Sequence, residues 1–416
     1  MVVMVRVWML VLIVALLAVA SAEANTKRGG SPSVGATALA VADVAVALTQ
    51  PGAFAAGGHH SLVVLHDGTV WAWGRNHHGQ LGDGTTENRT VPVQVAGLTN
   101  VRSVAAGGAH SLAILEDGSV WAWGRNTSFE AGDESREDQL APVRVPGLAG
   151  ARSIAAGDFF SVAALEDGSV WTWGSNAGGQ LGVVMLDIRM SMPVQVEELS
   201  GVRSVAAGEI FALALLEDGT VWGWGRNQSG QVGSGDSTVQ HDRPVEIVGL
   251  SEVLSIAAGS EHALAVGGDG SVWAWGFNEH GQLGMETGDE WRLTTPTHLA
   301  GFEGALSVAA GADHSFAVTA DGRLWAWGRH DFGRLGDGSR EHRFAPVEVS
   351  AVSGVLAAAG GSIHSVAVTE DGSLWAWGDN RHGQLGDGST ESRPTPARVE
   401  GLGGVRLAAA DPTVHF

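Results

Sequence analysis

Histidine is the residue type of this chain most suited to chemistry, because its ring can transfer protons or bind a metal near neutral pH. The sequence has 16 histidines. Six share one position of an internal repeat: His60, His110, His262, His314, His364 and His415. Phe160 and Phe211 take that position in two other copies. A position that accepts Phe is not a metal ligand, so we expect half-buried rings whose nitrogen bonds a neighbouring loop.

A second group of histidines is local in sequence and consists of His59, His60, His77 and His78. Zinc needs three or four ligands within tetrahedral reach, and the consecutive His77 and His78 cannot easily point the same way. The Gly-Asp-Gly segments that begin at residues 82, 336 and 386 lack the spaced carboxylates and final Glu of a calcium loop. The sequence therefore predicts no metal site.

Carboxylates occupy one loop in four successive copies of the repeat: Asp158, Glu209, Glu261 and Asp313. If they converge on a central axis, they form an acidic site of the carbohydrate-binding, hydrolase or lyase type. No Ser-His-Asp set, paired carboxylates or phosphate-binding loop stands out elsewhere. The prediction is a protein without catalytic residues and without a cofactor, with the axial acidic site as the alternative.

The repeat that positions these residues is marked by tryptophan. Trp-x-Trp-Gly begins at residues 71, 121, 171, 222, 273, 325 and 375, in steps of 50 to 52 residues, and the pairs hold fourteen of the 16 Trp. Only Trp8 and Trp291 lie outside them. Such a period indicates units that stack on one another and bury their faces together.

Each unit contains four short apolar runs, which are of strand length rather than helix length. In the second unit the first runs are VRSVAAG, HSLAIL and VWAWG, and a fourth lies near PVRV. An Asp-Gly pair, as at Asp67 and Asp117, joins the second run to the third in every unit, and we expect both of its residues to adopt positive φ in a tight hairpin. Seven four-stranded antiparallel units predict an all-β, seven-bladed β-propeller over residues 51–416. The small residues of the first run place it nearest the axis.

The amino-terminal segment has the pattern of an export signal. Residues 1–22 carry one charge, Arg6, and an apolar run that ends in Ala-Ser-Ala, which favours a cleaved secretory signal. An uncleaved membrane anchor is the alternative. Residues 23–50 are predicted to be a linker. The expected mature protein is secreted, periplasmic or on the cell surface, without a stable membrane span after cleavage.

The charge of the chain limits its partners. With 24 Lys and Arg against 45 Asp and Glu, the formal net charge is −21. An acidic surface repels phosphate backbones, so nucleic acid is not an expected partner. There is no Cys, and hence no disulfide framework.

The repeat resembles that of the regulator-of-chromosome-condensation family. The resemblance is carried by AAGGHHS at residues 55–61, DGTVWAWGRN at 67–76 and GQLGDGT at 79–85, and it covers residues 53–416. It implies the seven-bladed propeller. The family's nucleotide exchange and chromatin binding are not expected of an exported acidic chain. The secreted bacterial members of the family are the closer analogue, and one of them binds an enzyme through loops on one face.

The binding face follows from the strand order. The Gly-x-x-His loop and the loop after Trp-Gly-x-Asn lie on one face, and the Asp-Gly turns lie on the other. Loops that vary on a rigid scaffold are where binding concentrates. We therefore predict that a monomer binds an unidentified protein partner through the variable loop residues, which are Trp291, Phe159, Phe129, Ile210, Phe332, His59, His77, His78, His280 and Ile363.

The ring has one strand too many. The Ala-Ala-Gly strand occurs eight times, first at residues 53–57 and last at 405–411, where Asp-Pro replaces Gly. Seven blades accept seven such strands, so we expect strands from both chain ends to clasp the ring.

Overall fold

The computed structural model describes residues 52–406 apart from residues 186 and 289. The predicted signal at 1–22, the linker at 23–50 and His415 lie outside the described residues. Within them the chain forms seven four-stranded antiparallel sheets, each in simple sequence order, with one short 3₁₀ turn at Asp331–Gly333. The predicted seven-bladed all-β propeller is confirmed. Among these residues no helix is long and apolar enough to cross a membrane.

The strands are numbered β1 to β28, four to a blade. Blade one contains β1 (Phe54–Ala56), β2 (His60–Val64), β3 (Val70–Gly74) and β4 (Arg89–Gln94). Blade two contains β5 (Val101–Ala106), β6 (His110–Leu115), β7 (Val120–Gly124) and β8 (Gln139–Arg144). Blade three contains β9 (Ala151–Ala156), β10 (Phe160–Leu165), β11 (Val170–Ser175) and β12 (Arg189–Gln195). Blades four and five contain β13 (Val202–Ala207), β14 (Phe211–Leu216), β15 (Val221–Arg226), β16 (Gln240–Glu246); β17 (Val253–Ala258), β18 (His262–Gly267), β19 (Val272–Phe277), β20 (Arg292–His298). Blades six and seven contain β21 (Ala305–Ala310), β22 (His314–Thr319), β23 (Leu324–Gly328), β24 (Arg343–Glu348); β25 (Val355–Gly360), β26 (His364–Thr369), β27 (Leu374–Gly378), β28 (Arg393–Arg398).

The hydrophobic core is divided among the contacts between neighbouring blades. In one such cluster Leu62 and Val70 of blade one pack against Val104 and Trp123 of blade two. The second Trp of every pair is completely buried, so each contributes a large apolar area to the contact between blades. Its indole Nε1 donates to a loop carbonyl of the preceding blade, as Trp123 does to Gln80 at 2.9 Å. The blades are therefore fixed by packing and by a repeated polar contact.

The first strands line the axis, as their small residues predict. Alanines and glycines at their ends surround a shallow axial depression on the face that carries the Gly-x-x-His loops. The middle strands β2 and β10 are buried along their whole length, because both of their faces are covered by neighbouring blades.

The Asp-Gly turns differ from the expectation. Gly68 has a φ of +77°, but Asp67 does not adopt positive φ. The amide of Gly68 donates to the carbonyl of Leu65 at 2.9 Å, and the amide of Leu65 donates to the carbonyl of Thr69 at 2.9 Å. This is a three-residue hairpin with a single left-handed glycine. Asp67 instead accepts the amide and hydroxyl of Thr69 at 2.9 and 2.7 Å, so its role is that of a side-chain cap.

Blade one is built from both ends of the described chain. Phe54–Ala56 pair with residues 61–63, while Val405 bridges Leu65, as Val101 pairs with Leu115 in blade two. The guanidinium of Arg406 donates to the carbonyl of Val101 at 2.8 Å. The expected clasp by both ends is thus present up to Arg406, and the remainder of the second copy lies outside the described residues.

Candidate partner-binding face

The loop face consists of the loops between first and second strands and those between third and fourth strands. Each longer loop is organised by a polar side chain just after Trp-Gly-x, which is half-buried in blade three and buried in the other six blades. In blade five, Asn278 accepts the amide of Leu283 at 2.9 Å and donates to the carbonyl of Met285 at 2.9 Å and to the hydroxyl of Thr287 at 3.1 Å. Its own amide donates to the carbonyl of Trp291 at 2.7 Å. One side chain thereby fixes the path of the segment that carries Trp291.

Trp291 lies in an aromatic patch that spans blades five and six. We define this aromatic patch as Phe277, His280, Trp291, His342 and Phe344. The ring of Phe277 lies 5.8 Å from Trp291 and 6.1 Å from His280, and His280 lies 5.4 Å from His342. Trp291 is 47% exposed and Phe344 is 41% exposed. Large exposed aromatic side chains held in a fixed geometry are typical anchors of a protein interface.

Phe344 reaches the patch because Gly281 leaves room for it. A Cβ at Gly281, which has a φ of +79°, would lie 3.0 Å from the ring Cδ1 and 2.8 Å from the Cα of Phe344. The outer strand of blade six therefore touches the loop of blade five, and the patch continues across the boundary between the two blades.

A histidine cluster lies two blade contacts further along the loop face, where blades seven and one meet. His382 lies 5.3 Å from His59 and 6.3 Å from His77. Burial, with His382 and Arg75 nearby, lowers the pKa of His59 to about 4. His78 is separate from this cluster, since its Nδ1 lies 2.7 Å from the Asp138 carboxylate. Among the residues that the structure describes, no three His, Asp or Glu side chains are placed to hold a metal ion.

The remaining predicted aromatic residues each lie beneath an arginine. The guanidinium carbon of Arg125 lies 4.1 Å from the ring centre of Phe159, which is half-buried. Arg136 lies 5.3 Å from Phe129. Such cation–π contacts fix the rings on the blade surface. Phe332, which is 39% exposed, lies 4.8 Å from Arg381.

The predicted aliphatic residues are half-buried in the first loops. A Cβ at Gly178 would lie 2.5 Å from the Cγ2 of Ile210, so Ile210 packs on the neighbouring loop. The carbonyl of Ile363 accepts the amide of Asp379 at 2.9 Å. These residues are spread around the face, and the structure brings only Trp291 with His280, and His59 with His77, into common clusters.

The four axial carboxylates do not form one site. Asp158 and Glu209 line the axial depression, whereas Glu261 and Asp313 do not. Glu261 accepts the hydroxyl of Ser229 at 2.8 Å, and Asp313 pairs with Arg329 at 3.2 Å. Burial raises the pKa of Asp158 against the influence of Arg125. Burial, followed by the neighbouring charges of Asp158, Glu261 and Asp313, raises the pKa of Glu209.

Sequence reasoning missed three members of the aromatic patch: Phe277, His342 and Phe344. The signal for Phe277 was present, because four of the other six blades carry Arg at its repeat position. An aromatic residue where Arg is usual indicates a local change of surface. His342 and Phe344 follow the loop of blade six, and their approach to blade five depends on blade packing.

Comparison with known families decides the identity of the fold. The RCC1-like domain matches residues 153–415, which is more than half of the chain. The chain belongs to the RCC1-like domain family. The regulator of chromosome condensation (RCC1) repeat also matches at residues 67–114 and 117–164, and a second form of it at 53–80 and 101–130. The predicted resemblance is therefore confirmed.

The curated relatives are larger than the matched region. The Ultraviolet-B receptor UVR8 of Arabidopsis thaliana is 38% identical over 171 residues, which cover 40% of this chain and 38% of the receptor. The mitochondrial RCC1 domain-containing protein RUG3 of the same plant is 33% identical over 149 residues, which cover 35% of this chain and 34% of that protein. The chain thus spans about a third of the length of these relatives.

Solved structures agree with the fold. Yeast RCC1 (Prp20), determined bound to Kap60, has a TM-score of 0.71 at 27% identity, over 80% of this chain and 83% of that one. A second structure of Prp20p from Saccharomyces cerevisiae was described with its binding properties to Gsp1p and histones, and it has a TM-score of 0.71 at 26% identity over 86% of this chain and 89% of that one. The RCC1-like propeller is a fold of protein interaction, and the family relatives named here are eukaryotic.

Proposed function

We propose that this RCC1-like propeller is an exported interaction module that binds a protein partner, as a monomer, through its loop face. The observation that carries the proposal is the exposed aromatic patch around Trp291, held rigidly by Asn278. A fixed aromatic anchor loses little conformational entropy on binding, which favours affinity. The binding of Kap60 by yeast RCC1 supports the class of function.

Export rests on the sequence of residues 1–22 and is part of the same proposal. Fractionation of the source cells and amino-terminal sequencing of the purified protein test it. We expect the protein in the periplasm, at the cell surface or in the medium, with a new amino terminus near residue 22. Recovery of the full-length chain from the cytosol would contradict export while leaving the loop face to be tested separately.

Affinity capture from the compartment in which the protein resides tests the loop face. The wild type is compared with Trp291→Ala and Phe159→Ala. Val248→Ala is the control, because Val248 is 64% exposed but follows β16 at the end opposite the loops. We expect a partner that Trp291→Ala loses and the control retains. A partner retained by both loop variants would refute the loop face as the binding surface.

The axial acidic site is not the function that this geometry favours. Of its four carboxylates, Glu261 and Asp313 are engaged by Ser229 and Arg329 away from the axial depression. The two that remain, Asp158 and Glu209, lie in a depression lined otherwise by Gly, Ala and Ser. These small residues offer no aromatic platform for a sugar.

A further inference from the structure

The aromatic patch is bordered by carboxylates that have no cationic partner. Blade five contributes four glutamates to the loop face, and none of them forms an ion pair in the part of the chain that the structure describes: Glu261, Glu279, Glu286 and Glu290. The last three are exposed. Arg292, the nearest cation along the chain, packs on Trp291 at 4.7 Å and donates to the carbonyl of Gln228. The carboxylates of these glutamates are therefore available to a positively charged ligand.

The negative charge extends inward from the patch to the axis. Asp158 and Glu209 line the axial depression, and the pKa of Glu209 is raised by burial and then by the charges of Asp158, Glu261 and Asp313. Arg226 opposes them, and it is bonded to Gln228 rather than to an acid. Where blades seven and one meet, Arg75 and Arg381 lie near the histidine cluster. The four glutamates without an ion pair thus lie on blade five beside the aromatic patch, whereas the histidine cluster is accompanied by Arg75, Arg381 and Asp379.

We propose that the aromatic patch and the exposed glutamates of blade five bind a cationic segment of a partner protein, rich in Lys or Arg and bearing an apolar side chain. The inference rests on the proposed function and adds the chemical class of the partner. The rings of Trp291 and Phe344 supply apolar contact area, and Glu279, Glu286 and Glu290 supply an attractive field for positive charge. An acidic peptide or a nucleic acid would be repelled by the same carboxylates.

Fluorescence anisotropy with labelled peptides tests the inference on the full-length chain. The probe is a flexible Gly-Ser peptide that carries lysines and one phenylalanine. Its two matched forms carry glutamate or glutamine in place of lysine. We expect the lysine form to bind best and its affinity to fall as salt rises, because salt screens exposed charges. Stronger binding of the glutamate form would overturn the inference.

Two triple variants locate the binding on the face. In E279Q/E286Q/E290Q the patch loses three charges, and we expect affinity for the lysine peptide to fall about tenfold. The control E166Q/E303Q/E370Q removes equal charge from exposed glutamates on the opposite face, and we expect it to bind as the wild type does. Equal affinities of the two triple variants would refute the site, since net charge alone would then explain the binding.

The same variants separate this inference from the proposed function. In one outcome, a natural partner depends on Trp291 yet binds E279Q/E286Q/E290Q with the affinity of the wild type. That result would support the loop face as the binding surface and refute a cationic segment as the ligand. A natural partner lost equally by Trp291→Ala and by E279Q/E286Q/E290Q, but retained by the control triple variant, supports both.

Discussion

His60 and Ser111 join blade one to blade two: the ring Nε2 of His60 donates to the hydroxyl of Ser111 at 3.0 Å. The Ser111 hydroxyl in turn donates to the carbonyl of Gln80 at 2.8 Å, so the proton of the neutral ring must lie on Nε2. The Nδ1 atom is buried without a partner. Four other contacts between neighbouring blades contain the same pair: His110–Ser161, His262–Ser315, His314–Ser365 and His364–Ser61.

At the two remaining contacts between blades, both members of the His–Ser pair are replaced together. Phe160 packs in one core cluster with Ala212, and Phe211 packs with Ala263. The polar pair and the apolar pair are thus alternatives at one site. A mixed pair would leave a buried polar group unsatisfied, which costs ~1–3 kcal/mol.

The first prediction concerns replacement of the His–Ser pair by the Phe–Ala pair. Ser111→Ala should lower the free energy of unfolding by ~1–3 kcal/mol, because it leaves Nε2 of His60 without an acceptor. His60→Phe combined with Ser111→Ala should cost less than the sum of the single changes, with a coupling of ~0.5–3 kcal/mol. Urea unfolding of the wild type, the two single variants and the double variant measures this coupling. Additive costs would show that the pairs are not alternatives.

Acid should destabilise the fold through these histidines. Burial lowers the pKa of His60, His110 and His364 to about 3 and that of His262 to about 4. The unfolded chain therefore binds more protons than the folded chain between about pH 6.5 and these values, so stability is kept above that window and lost as pH falls through it. Melting temperatures between pH 8 and pH 4 measure the loss (about two units on either side of the ordinary histidine pKa). The variant His60→Phe/Ser111→Ala should show a shallower loss, and an unchanged pH profile would contradict this assignment.

The repeat made most of the fold predictable. Trp-x-Trp-Gly recurs once in each blade, four residues after the Asp of an Asp-Gly turn, so the spacing of this motif gives blade number and strand order directly. The turn geometry was only partly predictable, because Asp67 is required by its bond to Thr69 and not by its own φ. The histidine position was expected to bond a loop, but its partner is a serine on a strand of the next blade, which only the stacking of blades reveals.

The candidate site was less predictable, because its members come from different blades. Trp291 was evident as the one Trp between residues 23 and 416 outside the repeat. Its contact with Phe277 follows from the path of a long loop, and the approach of His342 to His280 follows from blade packing. Neither distance is encoded in spacing along the chain.

The closure of blade one gives a prediction on stability. Val405 is 1% exposed and bridges Leu65, so Val405→Asp places an unpaired carboxylate in the contact between blades seven and one. We expect a loss of ~3 kcal/mol in the free energy of unfolding. Val91→Asp is the control, because Val91 is 50% exposed on the outer strand β4, and it should change stability by less than ~0.5 kcal/mol. Similar melting temperatures for the two variants would argue against closure by Val405.

Asn278 should control binding by positioning Trp291 rather than by touching the partner. Asn278→Ala removes the acceptor for Leu283 and the donor for Met285 and Thr287, so we expect faster amide hydrogen exchange over residues 285–291 and a roughly tenfold weaker affinity for the partner. Asn176→Ala is the matched control, because Asn176 accepts the amide of Leu181 at 3.0 Å and donates to the carbonyl of Val183 at 3.3 Å in a loop of blade three that carries none of the predicted partner-binding residues. It should cost similar stability and leave partner affinity unchanged. If both variants lose affinity equally, the effect belongs to the scaffold and not to the segment that carries Trp291.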